Sequence, residues 1–375
     1  ATCLSPSLGS DKATMKSEGK SKTPVLKKPE ELPWDLVDRC FLPAVFSHAA
    51  AVILSTVLNT LYISQVSMFT LFLLFLVISV GSTIFYHNLK VTAAGKAVLI
   101  TGCESRIGYA IARQLDDLGF TVLAGFQGND EKACKLKEES SGRLHVLQLD
   151  TTSETQILQA LQYVKDHIPQ GLWALVNNVS WAAFGEIEWV PIQVFRKSTD
   201  ANFISTVRIT QLFLPQIRRA KGRVVNVISL LGRIAAPAKS PFCSVKFGLE
   251  AFSDCLRLEM RRWGVDVVVV EPGIVTTGCW FEEKTVLEEA KNMWKEMSEE
   301  VRFDYGEDYF EYKVRTMPEY NTQAEVDLSP VLRSLTDAVS RTFPLGRYTP
   351  VTRQEKIQAL VADHLPRSVY DIIYN

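Results

Sequence analysis

The run "KAVLITGCESRIGYAIARQLDDLG", residues 96–119, decides the architecture. Its opening "KAVLI" is a short continuous apolar stretch, the pattern of a strand buried on both faces. After Thr101 and Gly102 the period changes to that of a helix, which closes at Gly119. A second apolar run, "FTVLAGF" (120–126), follows at once. Strand, glycine turn, helix and strand form a βαβ unit, in which the first helical N–H groups are the natural place for phosphate.

Further strands arrive in order along the chain. "LHVLQLDTTS" (144–153) ends at Asp150, "GLWALVNNVS" (171–180) at Asn177 and Asn178, "GRVVNVISLLG" (222–232) at Ser229, and "VDVVVVEPGIVTTG" (265–278) at Pro272 and Gly273. Strands alternating with helices predict an α/β domain, a Rossmann-type doubly wound parallel sheet over residues 96–280. The glycine turn reads as T-G-x-x-x-G-x-G with Thr101, Gly102 and Gly108 in place and Ile107 just before the last glycine. Its middle glycine is replaced by Arg106. A side chain there has two outcomes: it swings out and pairs with a phosphate, or it blocks the close backbone approach that glycine permits. The second strand ends "AGFQGND", with neither an acid at the customary ribose position nor a clear basic partner for a 2′-phosphate, so the choice between NAD and NADP stays open.

Ser229 is followed thirteen residues on by Phe242 and four further by Lys246, the last two on a helix "SPFCSVKFGLEAFSDCLRLEM" (240–260) where an i, i+4 pair shares a face. Asn202 lies in "DANFISTVRIT" (200–210). Taken together, these motifs resemble the short-chain dehydrogenase/reductase family. "FLPQIRRAKGRVVNV", "FDYGEDYF", "SPVLRSLTDAV" and "HLPRSVYDII" extend the likeness to the C-terminus, toward its membrane-bound 17β-hydroxysteroid and D-3-hydroxybutyrate branches.

The resemblance implies a site. Ser229 would orient the substrate oxygen, Lys246 would bind the nicotinamide ribose and Asn202 would hold a relay water. Thr101, Gly102, Arg106, Ile107, Gly108, Asp150, Asn177, Lys246, Pro272, Gly273 and Thr277 would hold NAD or NADP, with Thr276 beside Thr277 at the carboxamide. The family's proton-donating tyrosine is replaced by Phe242, which can neither donate nor accept a proton. Val179 and Ser180 replace the small residues of the family's N-N-A-G.

Between Arg39 and Lys90 there is no Asp, Glu, Lys or Arg, and the stretch is long enough for two spans, about 42–63 and 67–87, joined by "SQVS". The prediction is an N-terminal transmembrane helical hairpin over 40–89, with lysines beyond both ends placing that side in the cytosol. The preceding residues 1–39 are rich in Ser, Lys, Pro and Glu and are expected to be disordered. Residues 281–375 would supply a substrate lid and a membrane-proximal extension, with Trp280, Phe281, Met293, Trp294 and Met297 as candidate pocket residues.

Charge and cysteine content exclude other classes. With 41 basic and 42 acidic side chains the chain has no electrostatic footprint for nucleic acid. Seven scattered cysteines without CxxC spacing imply neither a zinc site nor a disulfide framework, and reduced thiols are expected. No metal is expected. The functional expectation is hydroxyl/ketone interconversion on a steroid- or retinoid-like lipid, slowed by Phe242, in the endoplasmic reticulum membrane or alternatively a mitochondrial one. The partners are a lipophilic small molecule and membrane lipid, with a homodimer or tetramer open to it. The alternative is a catalytically silent relative that binds dinucleotide or lipid as a sensor or scaffold.

Overall fold

The computed structural model describes residues 34–128, 130–183, 185–273, 283–316 and 327–374. They fall into two compact units: residues 34–92 with 340–344, and residues 93–339 with 345–374.

The smaller unit is built on two helices, α1 (Trp34–Thr60) and α2 (Met68–Asn88). Cys40–Thr60 and Met68–Asn88 are each 21 residues long and apolar enough to cross a membrane. Small and polar residues meet where the helices touch: Ser47 Oγ donates to Ser79 Oγ at 3.1 Å, Ala51 is buried, and His48 meets Phe72 edge-on. Phe46, Ile53, Phe69 and Val77 are left exposed. At the end of α2, Ser67 having capped its start, Arg341 closes on His87, donating to its backbone oxygen at 3.0 Å.

The larger unit is the predicted sheet. Its strands are β1 (Ala97–Ile100), β2 (Thr121–Phe126), β3 (Leu144–Gln148), β4 (Ala174–Asn177), β5 (Arg223–Val227), β6 (Asp266–Val270) and β7 (Arg347–Tyr348). All neighbours pair parallel, in the order β3-β2-β1-β4-β5-β6-β7, and the order reverses at β1. Fully buried runs such as Ala97–Ile100 are what a sheet covered on both faces requires. The strand β7 has no sequence signature, being two residues long and preceded by Pro344 and Gly346.

The crossovers are α3 (Arg106–Asp117), α4 (Asp130–Glu139), α5 (Glu154–His167), α6 (Ile192–Ser198), α7 (Ser205–Ala220) and α8 (Ser240–Met260). After β6 come α9 (Glu283–Glu296), α10 (Glu299–Tyr305), α11 (Glu307–Thr316), α12 (Ser329–Ser340), α13 (Arg353–His364) and α14 (Arg367–Tyr374). One core lies between the sheet and α5, α7 and α8, with Leu99, Leu175, Ile209, Phe213, Ile217 and Val224 at its centre. Arg223 is buried at the sheet's lower end, where it donates to the α12 carbonyls of Ala338 (2.8 Å) and Val339 (3.1 Å) and stacks on Trp173. These carbonyls are orphans that a helix C-terminus must satisfy.

The cysteines depart in part from expectation: Cys40, Cys103, Cys243 and Cys255 are free, but Cys134 is disulfide-bonded.

Candidate active site and cofactor groove

The site is assembled at the C-terminal ends of the strands, where an open α/β sheet leaves a crevice at its switch point. A cavity of ≈ 1130 Å³ opens there, walled by the turn after β1 (Gly102, Glu104–Ile107), the end of β3 (Asp150–Thr152) and the β4 loop (Asn178–Trp181).

The turn after β1 leaves no room for side chains. Gly102 has φ +68°, a left-handed conformation that favours glycine. A Cβ on Gly108 would fall 2.3 Å from Gly102 O and 2.8 Å from Asn178 Nδ2. Ser105 caps α3 by accepting from Gly108 N at 3.1 Å, while its own hydroxyl donates to Gly102 O at 2.8 Å. Asn178 braces the same turn, donating through Nδ2 to Gly102 O (3.0 Å) and Ser105 Oγ (3.0 Å) and through its backbone N to Thr101 Oγ1 (3.0 Å). Backbone amides at a capped helix start, in a cradle that one methyl would fill, suit the pyrophosphate of a dinucleotide. Arg106 is exposed and lines the groove. Val179 packs close behind Gly102.

Asp150 sits at the end of β3 with Oδ1 accepting from Thr152 N (2.8 Å) and Thr152 Oγ1 (2.6 Å). Burial works to raise its pKa, but the hydrogen bonds from Thr152 and Gln127 together outweigh it and hold the carboxyl below its ordinary value. Asn177 and Asn178 divide their duties. Asn177 turns inward, donating to Asn226 Oδ1 at 2.8 Å and Thr210 Oγ1 at 3.1 Å beneath the sheet's helices, so the groove is lined by Asn178. Adjacent strand residues face opposite sides, and the motif alone does not say which of two asparagines faces the ligand.

The candidate catalytic residues are buried. Asn202 lies in a π-helical turn, Thr199–Ile204, between α6 and α7. There it clamps the backbone of Trp181, accepting from its N at 2.8 Å and donating to its O at 2.8 Å, and also donates to Ser198 O at 2.9 Å. Such π turns occur often at functional sites, and no propensity in the sequence foretold this one. Ser198 Oγ in turn donates to Pro241 O at 2.7 Å, linking that turn to α8. Ser229, two residues beyond β5, caps a single 3₁₀ turn, Leu230–Gly232, accepting from Leu231 N at 3.2 Å. On α8, Phe242 is 3 % exposed and packs with Ala182, Leu231 and Cys243. The Lys246 ammonium, on a residue 0 % exposed, lies 5.1 Å from the Phe242 ring centroid. Phe242 is thus the meeting point of the β4 loop, the Ser229 turn and α8.

Pro272 and Gly273 are buried beyond β6, and Pro272 O accepts from Leu230 N at 3.0 Å. Behind them a charge network that sequence reading missed joins strand ends to the C-terminal helices. Glu271, 0 % exposed, is held by Arg347, by Arg233 at 3.0 Å and by Thr349 Oγ1 at 3.0 Å. Arg347 also reaches Glu250, one turn beyond Lys246, at 2.8 Å. A Cβ on Gly273 would fall 2.5 Å from the Glu355 carboxylate that caps α13. Thr276, Thr277, Trp280 and Phe281 lie outside the described residues.

The chain that builds this groove matches the family model for short chain dehydrogenase over residues 96–286. The chain belongs to the short-chain dehydrogenase/reductase family. Among its relatives, bovine (Bos taurus) mitochondrial D-beta-hydroxybutyrate dehydrogenase is 41% identical over 287 residues, 74% of this chain and 83% of that protein. Mouse (Mus musculus) estradiol 17-beta-dehydrogenase 2 is 34% identical over 281 residues, 74% of each chain. Mouse retinol dehydrogenase 16 is 35% identical over 280 residues, 74% of this chain and 87% of that one.

As a short-chain dehydrogenase/reductase the protein is an oxidoreductase of the CH–OH class, with NAD(H) or NADP(H) as cofactor and a small molecule as substrate. The residues present fit that cofactor: the Gly102–Gly108 cradle and the α3 N-terminus suit its pyrophosphate. The lid candidates among the described residues form a core of their own. Trp294 lies 4.6 Å from Phe310, and Met297 packs with Trp189 and Val314. Met293 backs Gly185, whose φ of +151° and close neighbours leave no room for a side chain.

Proposed function

We propose that the protein is a membrane-anchored short-chain dehydrogenase/reductase that interconverts hydroxyl and ketone on a steroid- or retinoid-like lipid, slowed by Phe242. The observation that carries this reading is the placement of Phe242, which joins the Ser229 turn, the Trp181–Ala182 loop held by Asn202, and Lys246 at one buried point. When bound, the nicotinamide supplies or accepts the hydride. Ser229 then orients the substrate oxygen, its own hydroxyl fixed by the Leu231 amide. Lys246 holds positive charge in a water-poor setting, where it acts more strongly than it would in solvent. Phe242 offers no proton, so the exchange falls to water or to Ser229. Loss of a positioned general acid or base costs roughly 10² to 10⁴ in rate.

The α1–α2 hairpin is the proposed anchor. Its two 21-residue apolar helices are long enough to span, and exposed Phe46, Ile53, Phe69 and Val77 suit lipid. With both helix ends returned to one side and lysines beyond them, the larger unit faces the cytosol. The endoplasmic reticulum is the proposed membrane, with a mitochondrial membrane as the alternative that the hydroxybutyrate dehydrogenase relatives favour.

The test is NAD(P)-linked turnover of a panel of hydroxysteroid, retinol and 3-hydroxybutyrate by the full chain and its Ser229→Ala variant. Slow turnover that falls at least about tenfold in Ser229→Ala supports the proposal. Turnover indifferent to Ser229 refutes the assigned site, and silence across the panel favours a dinucleotide- or lipid-binding role without catalysis.

A further inference from the structure

We propose that Glu104 sets the cofactor preference of the groove, selecting NAD(H) over NADP(H) by accepting hydrogen bonds from the free diol of the adenosine ribose. The inference rests on the dinucleotide reading above and adds which dinucleotide. In a sheet of this kind the adenosine ribose lies beyond the C-terminal end of the second strand, where a carboxylate can take its hydroxyls. Here β2 runs into Gln127 and Gly128, which offer neither acid nor base. The acid comes from another segment. Cys103 N donates to Gly125 O at 2.9 Å, stitching the glycine turn to β2 and bringing the next residue, Glu104, to that strand's end. Lys132 on α4 holds the turn there from the other side, its Nζ donating to Glu104 O at 2.9 Å.

Glu104 lines the groove, and the backbone amides of Glu104 and Gln127 beside its carboxylate favour the ionised form. Its Oε2 is buried with no hydrogen-bond partner among the described residues. Burial raises its pKa, against the pull of those amides and of Lys132. A buried carboxylate oxygen without a donor is costly to leave unmet, and a ribose diol supplies donors at that place. A 2′-phosphate supplies only acceptors and a charge of about −1.5 to −2. Lys132 and Arg106 are the cations that a 2′-phosphate would have to recruit instead. Like charges at about 4 Å, even with the dielectric screening typical of a protein surface, correspond to a discrimination of about 10²-fold or more.

The experiment reads binding without turnover: thermal stability of the full chain titrated with NADH, NADPH, 5′-AMP and 2′,5′-ADP, for the unmodified protein, Glu104→Gln and Glu104→Asp. Ligands that bind the native state raise its stability according to their affinity. NADH and 5′-AMP are expected to act at about 10²-fold lower concentration than their 2′-phosphorylated counterparts, and Glu104→Gln to narrow that ratio below about tenfold. Glu104→Asp, which keeps the charge, should keep the order. Equal or tighter binding of the 2′-phosphorylated ligands by the unmodified chain, or a ratio that Glu104→Gln leaves alone, overturns the assignment of Glu104 only. No stabilisation by any of the four ligands overturns it together with the dinucleotide reading.

Discussion

Phe242→Tyr is the sharpest perturbation this site allows, because it restores one hydroxyl and alters nothing else. The Lys246 ammonium lies 5.1 Å from the ring centroid. Taking that as the charge separation and an effective dielectric of about 20, the interaction with a phenolate is 332/(20 × 5.1), about 3.3 kcal/mol. That attraction lowers the phenol's pKa toward the working range of a general acid or base, while burial of the ring acts against it. The rate expected back is about 10² to 10⁴, or about 2.7 to 5.4 kcal/mol of barrier. Because the hydroxyl acts mainly in the transition state, kcat should rise with KM nearly unchanged. Stability offers a second reading. The ring is 3 % exposed among Ala182, Leu231 and Cys243, so a hydroxyl without a partner would cost about 1–3 kcal/mol, whereas one that meets Lys246 would cost about nothing. The assay is nicotinamide absorbance under single-turnover conditions beside chemical denaturation. A variant that binds NADH as well as the unmodified chain and yet turns over less than about threefold faster refutes the reasoning, since it would mean that the hydroxyl does not point at a competent site.

Two further substitutions probe the frame. Gly108→Ala places a methyl 2.3 Å from Gly102 O, which neither backbone nor the capped helix can yield to, so NADH-induced stabilisation should vanish and the unliganded protein should lose about 1–3 kcal/mol in denaturant melts. Lys246→Met keeps length and apolar packing while removing a fully buried charge. NADH binding, read by thermal shift relative to the unliganded variant, should weaken at least about tenfold, a charge-assisted bond contributing roughly 1.5–3 kcal/mol.

The sheet was legible because its signal is local. Every strand from β1 to β6 is a short apolar run between glycine or polar breaks, and the βαβ order follows from their alternation with helical periods. The hairpin was legible for the same reason, although its helices run Trp34–Thr60 and Met68–Asn88 where hydropathy placed them at about 42–63 and 67–87. The first helix begins earlier because Trp34–Arg39, which carry three charges in six residues, continue it without a break in backbone geometry, which hydropathy cannot see. What stayed hidden depends on contacts between distant segments. Glu104 reads as an ordinary turn residue until Cys103 pairs with Gly125, and Glu271 as a strand-end acid until Arg347, from 76 residues away, closes on it. The π turn at Asn202 is invisible for a related reason: what stabilises it is the bond from Asn202 to Trp181, 21 residues back, rather than any preference of its own residues.

That dependence bears on how the site itself should be weighed. Ser229 and Asn202 match the family motif, yet each has a folding duty independent of chemistry. Ser229 caps the turn on which α8 packs, and Asn202 ties the β4 loop to α7. A chain that had lost its activity would still need both. Lys246 differs from them, since a buried ammonium carries a desolvation cost that a leucine or methionine at the same point would not. Phe242 sharpens the contrast, because it leaves that ammonium with no phenol to act on. The duty proposed for it is at the ribose of the cofactor, and the Lys246→Met comparison reads that duty directly: a loss of NADH binding assigns it whether or not hydride moves at a useful rate.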